Sequence, residues 1–165
     1  MIIVIDTREQ LPFQFGEKVD TIRAKLHTGD YSINGYKDLV AVERKSLADL
    51  WHTVTVGHRR WRETRKRFLS YPFRLIVIEG NSTDMCDDKL LSNSLPHARN
   101  PKANVLVGNL LSLSTERIPF FIGERSNACL FTLRYLERCD KLLTVSVAAR
   151  LRELQSQKVY NSVDE

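Results

Sequence analysis

Three short, unbroken apolar runs constrain this 165-residue chain more than any other feature: "IIVI" at residues 2–5, "LVAV" at 39–42 and "LIVI" at 75–78. Four apolar residues with no polar alternation form the pattern of a strand covered on both faces. Segments with helical periodicity separate the later runs, and strands alternating with helices imply an α/β layered domain with a mixed central sheet. A 42% hydrophobic content supplies one sizeable core, and the length leaves no room for a second large domain.

The remaining elements follow from local signals. A weaker extended segment spans 19–26, and "TGDYSI" and "DLVAVERK" flank Asn34-Gly35, a dipeptide suited to a tight hairpin turn, so the two should pair antiparallel. Ser46 is a good N-cap with Asp49 three residues on, which opens a helix over "SLADLWHTV"; Gly57 interrupts it, and "HRRWRETRKRFLSY" makes a second helix ending before Pro72. Residues 81–100 read as a loop with at most a short helix. Asn100-Pro101 suggests an N-cap and first helical position for a helix to about residue 117, followed by a strand in "IPFFIG". Helices near 126–138 and 143–157 and a frayed polar tail after Tyr160 complete the expectation.

Composition excludes several classes. Cys86, Cys129 and Cys139 are odd in number and lack CxxC spacing, which argues against a structural zinc site and a disulfide framework; Cys129 fits a small buried hydrophobe. Asp6 cuts the first apolar run short of a signal sequence, and no run of about 18 apolar residues occurs. The chain reads as soluble and intracellular, without membrane contact, and as cytoplasmic in a microbe. His27, His52, His58 and His97 lack metal-ligand spacing and read as structural or surface groups, and the net charge of +5 permits an acidic partner.

The strand over 39–42 ends in Glu43-Arg44-Lys45, three adjacent charges that are hard to solvate together unless the strand tip is exposed or the charges are needed there. Strand alternation puts Glu43 and Lys45 on one face and Arg44 on the other, and the hairpin would bring Asp30 to the same end. Asp30 and Glu43 can hold a hard cation such as Mg²⁺ through oxygen, with a strand carbonyl as a further ligand, and Lys45 can assist water or stabilise a pentavalent phosphate. Spacing alone equally allows a solvated strand end. Asp49 has two compatible readings, a helix cap at the positive dipole end and a group reaching back to Arg44 or Lys45.

"GDY" followed by "VERKSLADL" resembles the GD…ERKxxxD signature of the XPF-type (ERCC4-domain) structure-specific endonuclease family, matched by Asp30, Glu43, Arg44, Lys45 and Asp49. "VIDTREQLPF", "RLIVIEG" and "NLLSLSTERIPFFIGERSNACLFTLRYLER" resemble further segments in the same order, over about residues 2–140. The resemblance implies a restriction-endonuclease-like fold and divalent-metal-dependent cleavage of DNA at junctions, flaps or bubbles, with Mg²⁺ as cofactor and Mn²⁺ able to substitute. It implies Asp30 and Glu43 as metal ligands, Lys45 as catalytic lysine, and Arg8 and Arg44 as site cations that contact phosphate or orient carboxylates. Asp6 and Glu9 become nearby acidic groups for a second ion. A non-catalytic DNA-binding subunit is the alternative, and RNA as substrate is not distinguished from DNA.

Arg59, Arg60, Arg62, Arg65, Lys66 and Arg67 crowd one helix against Glu63 alone, which suits phosphate contact although a solvated face has the same composition; Trp61, Phe68 and Leu69 form its apolar stripe. The nuclease domain is expected over 1–142, with a C-terminal helix and tail over 143–165. "RLRELQSQKVYNSVDE" is too short for the tandem helix-hairpin-helix module common in the family, so weaker discrimination among DNA structures is expected, as is a homodimer held by Leu106, Leu110, Leu113, Phe131 and Tyr135.

Overall fold

In the computed structural model, which describes residues 1–161, the apolar runs lie side by side in one mixed sheet. Its strands are β1 (Ile3–Asp6), β2 (Thr21–Ala24), β3 (Tyr31–Ile33), β4 (Val40–Ser46), β5 (Phe73–Glu79) and β6 (Phe120–Gly123), in the order β2-β1-β3-β4-β5-β6. The pairs β1/β2, β4/β5 and β5/β6 are parallel, whereas β3 is antiparallel to both β1 and β4. The helices α1 (Leu47–Thr55), α2 (His58–Leu69), α3 (Asp88–Ser94) and α4 (Ala103–Thr115) contribute to the core on one face, and α5 (Arg125–Asn161) to the core on the other. Side-chain alternation divides each strand between the two cores. Ala41, Ile76 and Ile78 pack with Leu50, Trp61, Phe68 and Leu106, while Val40, Val42, Leu75 and Val77 pack with Phe13, Ala128 and Leu136. The α/β mixed sheet with flanking helices expected from the sequence is therefore present.

Four local expectations are corrected. Asn34-Gly35 does not make a two-residue hairpin. Tyr36 N–H bonds the Ile33 carbonyl at 2.9 Å with only Gly35 of the central pair at positive φ (+88°), the pattern of a type II turn. That turn does not follow the strand twist as the mirror-image hairpin turns do, and a second turn onto the Tyr36 carbonyl carries the chain to β4. The helix expected from Asn100-Pro101 starts at Ala103, because Asn100 is left-handed (φ +49°) and Asp88 of α3 supplies the cap by accepting the Ala103 N–H at 2.7 Å. The two expected C-terminal helices are one, since no Gly or Pro interrupts residues 125–161, and α5 crosses residue 142 without a break. The polar tail beyond Asn161 lies outside the described residues. Cys129 is only half-buried, its thiol meeting the Gln14 carbonyl at 3.4 Å, and Cys139 is the buried cysteine.

The positions expected to hold a dimer are mostly occupied within the chain. Leu106 and Leu113 are fully buried in the first core and cannot serve a partner as expected, and Leu110 and Tyr135 are half-buried. Phe131 alone of the five is exposed, at 40%, stacked on Phe121 with ring centroids 4.1 Å apart. Among the described residues no helix is long and apolar enough to cross a membrane.

Candidate active site

The site forms where β3 begins and β4 runs past it. Gly29 makes this possible. Its φ of +80° is left-handed, and a Cβ there would lie 2.7 Å from the Val42 carbonyl oxygen, so only glycine lets the chain come close enough for Asp30 N–H to bond that oxygen at 2.7 Å. Asp30 is thereby fixed beside β4, and its Oδ2 accepts the Arg44 N–H at 2.7 Å. Glu43 and Lys45 share the helix-covered face as alternation requires, with Lys45 Nζ 3.2 Å from Glu43 Oε1 and 5.1 Å from the centre of the Trp61 ring. Burial, and next the Glu43 charge, push the Asp30 carboxyl from its ordinary 3.8 up to about 8; the Arg44 N–H works in the opposite direction. A cation beside Asp30 would relieve this opposition to its charge.

Arg44 points to the opposite face. Its guanidinium is paired in two places with Glu79 (2.7 and 2.9 Å) and more loosely with Glu9 (3.3 and 3.4 Å), and these partners, Glu79 foremost, hold its pKa above the usual arginine value. Its guanidinium is thus held between two carboxylates. Arg8 is largely exposed and grips Asp6 through Nε (2.7 Å) and Nη2 (3.1 Å). Asp6 also accepts the N–H groups of Arg8 and Leu26, at 2.8 and 2.6 Å; burial opposes its charge, but these bonds outweigh it and keep the carboxyl below its ordinary range. Glu9 spends Oε1 on the Leu11 N–H (2.7 Å) and on Arg44. Asp6 and Glu9 thus bind loop and arginine partners, while Asp30 and Glu43 are the acidic pair beside the lysine. Asp49 acts as a cap: its N–H bonds Ser46 Oγ at 3.0 Å and its carboxylate accepts the Ser46 hydroxyl at 2.7 Å.

A cleft of about 460 Å³ opens over the pair, lined by Asp30, Glu43, Lys45 and Arg8 on the sheet side and by Arg60, Trp61, Thr64 and Arg67 of α2. The helical period sorts the basic residues. Arg60 and Arg67, seven positions apart, face the cleft; Arg59, Arg62 and Lys66 are exposed but do not line it. Arg65 lies on the inner side with Trp61 and Phe68, 3.3 Å from Glu116, so of the helix cations it is the one turned toward its own fold. His27 and His52, read from sequence as background, also line the cleft. Glu79, Arg125 and Trp61 were not recognised as site residues. Glu79 ends a quoted strand, and a carboxylate closing a buried strand beside the Glu-Arg-Lys strand was its only local signal.

Among the described residues no three His, Cys, Asp or Glu side chains cluster to hold an ion by themselves. The oxygen-only pair Asp30/Glu43 nevertheless fits Mg²⁺, which keeps several waters and takes one or two carboxylates. The Arg44 carbonyl is a further oxygen on that side: a strand residue's N–H and C=O point the same way, and the Arg44 N–H is directed to Asp30.

The fold has a counterpart. A search of curated proteins by sequence finds no match. Among solved structures, XPF from Aeropyrum pernix superimposes with a TM-score of 0.61 at 18% identity, covering 84% of this chain and 61% of that one, a likeness of fold, restriction-endonuclease-like, in which this chain spans about three-fifths of that chain's length. The ERCC4 domain family model matches residues 5–156, which takes in every side chain of the cleft, and the chain belongs to the ERCC4 domain family.

Proposed function

We propose that the protein is an endonuclease that hydrolyses phosphodiester bonds of DNA with a divalent cation held by Asp30 and Glu43, acting on branched or otherwise structured DNA. The observation that carries this reading is the acidic pair with Lys45 Nζ 3.2 Å from Glu43, at the floor of a cleft whose opposite wall presents Arg60 and Arg67. When bound, Mg²⁺ or Mn²⁺ supplies Lewis-acid polarisation of the phosphate. The chain's own groups do the rest. Arg60 and Arg67 hold flanking phosphates, Arg8 reaches the same cleft from the sheet side, and Lys45 places an ammonium against the negative charge that grows on phosphorus-bound oxygen as water attacks. Packing on the Trp61 ring and pairing with Glu43 hold that ammonium ready in place.

The test is cleavage of labelled duplex, flap, splayed-arm and four-way-junction DNA, with matched RNA, in Mg²⁺, Mn²⁺ or EDTA. Cutting of the branched DNAs that is lost in EDTA and in Glu43→Gln supports the reading. Undiminished turnover by folded Glu43→Gln overturns it, and metal-independent DNA binding without cutting by the unaltered protein would identify a non-catalytic DNA-binding subunit instead.

A further inference from the structure

On the sheet face away from the cleft, Glu79 ends β5 opposite Ser46 and diagonal to Arg44. Its Oε1 accepts from Arg44 Nε at 2.7 Å and from Arg125 Nη1 at 2.8 Å, and its Oε2 from Arg44 Nη2 at 2.9 Å. Arg125 sits in the first turn of α5, where the helix dipole disfavours a cation, so its place there rests on other partners. Those partners are Glu79 and, through Nη2, the Leu11 and Pro12 carbonyls at 2.9 Å each. Both guanidiniums lie over the Phe13 ring, at 5.7 and 5.3 Å. Neither Glu79 nor Arg125 lines the cleft.

The chain of contacts ends at Asp30. Beyond Val42, the last residue paired with β3, the tip of β4 keeps a ladder only with β5, and the Arg44–Glu79 clamp is the tighter of the two carboxylate contacts that hold the Arg44 side chain on this face. The Arg44 N–H that holds Asp30 Oδ2 lies on this tip. We infer that Glu79, steadied by Arg125, is a positioning residue that acts through Arg44 to hold the Asp30 carboxylate ready for a divalent cation; the inference rests on the assignment of Asp30 and Glu43 as the cation pair. Without the Glu79 carboxylate, the buried Arg44 guanidinium retains only the looser Glu9 carboxylate and the Phe13 ring, and the backbone that carries the Asp30 hydrogen bond shifts with it.

The experiment is Mn²⁺ binding to the DNA-free full chain, followed by electron paramagnetic resonance and calorimetry, with thermal unfolding run on each variant to confirm folding. The unaltered protein is expected to bind Mn²⁺ and Asp30→Asn to lose it. Glu79→Gln should raise the Mn²⁺ dissociation constant about tenfold or more, the range seen when groups that orient a metal ligand are removed. Glu79→Asp, which keeps the charge on a shorter arm, should recover part of the affinity, and Arg125→Gln should give a smaller loss. Should Glu79→Gln not fold, Glu79→Asp and Arg125→Gln carry the comparison. Unchanged Mn²⁺ affinity in the folded Glu79 and Arg125 variants, with Asp30→Asn still defective, overturns the positioning role alone. No Mn²⁺ binding by the unaltered protein overturns the cation pair and, with it, this inference.

Discussion

At the scale of single residues, Gly29 decides whether Asp30 can reach its place. Gly29→Ala forces an L side chain into left-handed backbone, costing about 1–3 kcal/mol, and drives a methyl into the Val42 carbonyl. The urea midpoint should fall, and cleavage should fall further than stability accounts for, because the Asp30 N–H bond to Val42 is lost; a midpoint equal to the unaltered protein's would refute the close approach. Asp30 also sets a pH dependence. Its folded pKa of about 8 lies above the ordinary 3.8, so between these values the folded state binds the extra proton and metal-free stability decreases as pH rises through that window. Asp30→Asn should flatten the decline in melting temperature from about pH 5 to 8, and divalent cation, displacing the proton, should stabilise the unaltered protein more at the upper end. Lys45→Ala should reduce the single-turnover rate constant far more than DNA affinity. A drop confined to affinity would make Lys45 a phosphate clamp.

At the scale of elements, α2 presents different cations in different directions. Arg60→Glu with Arg67→Glu should weaken binding to all DNA structures and flatten its salt dependence, since each phosphate contact releases counterion, whereas Arg59→Glu with Lys66→Glu, on the side away from the cleft, should change the slope less. Equal slopes for the two double variants would mean that the helix binds through its outer face. The same contrast explains what could be read in advance. β1, β4 and β5 were legible because burial on both faces leaves an uninterrupted apolar run, and the shared side of Glu43 and Lys45 because a strand's period of two predicts it from sequence alone. The basic helix was legible as charge, but which arginine faces the cleft depends on where Trp61 and Phe68 are buried. Glu79 and Arg125 escaped because their partners are 35 and 46 positions away, and the start of α4 because its cap comes from Asp88 on another helix. The end of α4 has a related cause. Arg117 adopts φ +57°, and Ile118 N–H closes onto the Leu113 carbonyl at 2.9 Å, a Schellman ending that usually uses glycine.

At the scale of the whole molecule, the outer surface of α5 is the place to look for self-association. Leu130 and Phe131 are 53% and 40% exposed on it, and two copies joined there would double the cationic surface offered to DNA. Light scattering over a concentration series should give the mass of two chains, and Phe131→Asp should return it to one; a single-chain mass for the unaltered protein at high concentration would refute the dimer. The placement of charges on β4 reaches further. Glu43 and Lys45 turn their side chains to the cleft while that of Arg44, between them, turns to the opposite side of the sheet, so one strand meets two sets of partners in alternate positions. One inserted or deleted residue between Val40 and Glu43 would exchange the two sides, turning the arginine into the cleft and the carboxylate and ammonium toward the place where Glu79, Glu9 and Arg125 meet. Descent with modification can therefore trade side chains along this strand far more freely than it can alter the strand's length.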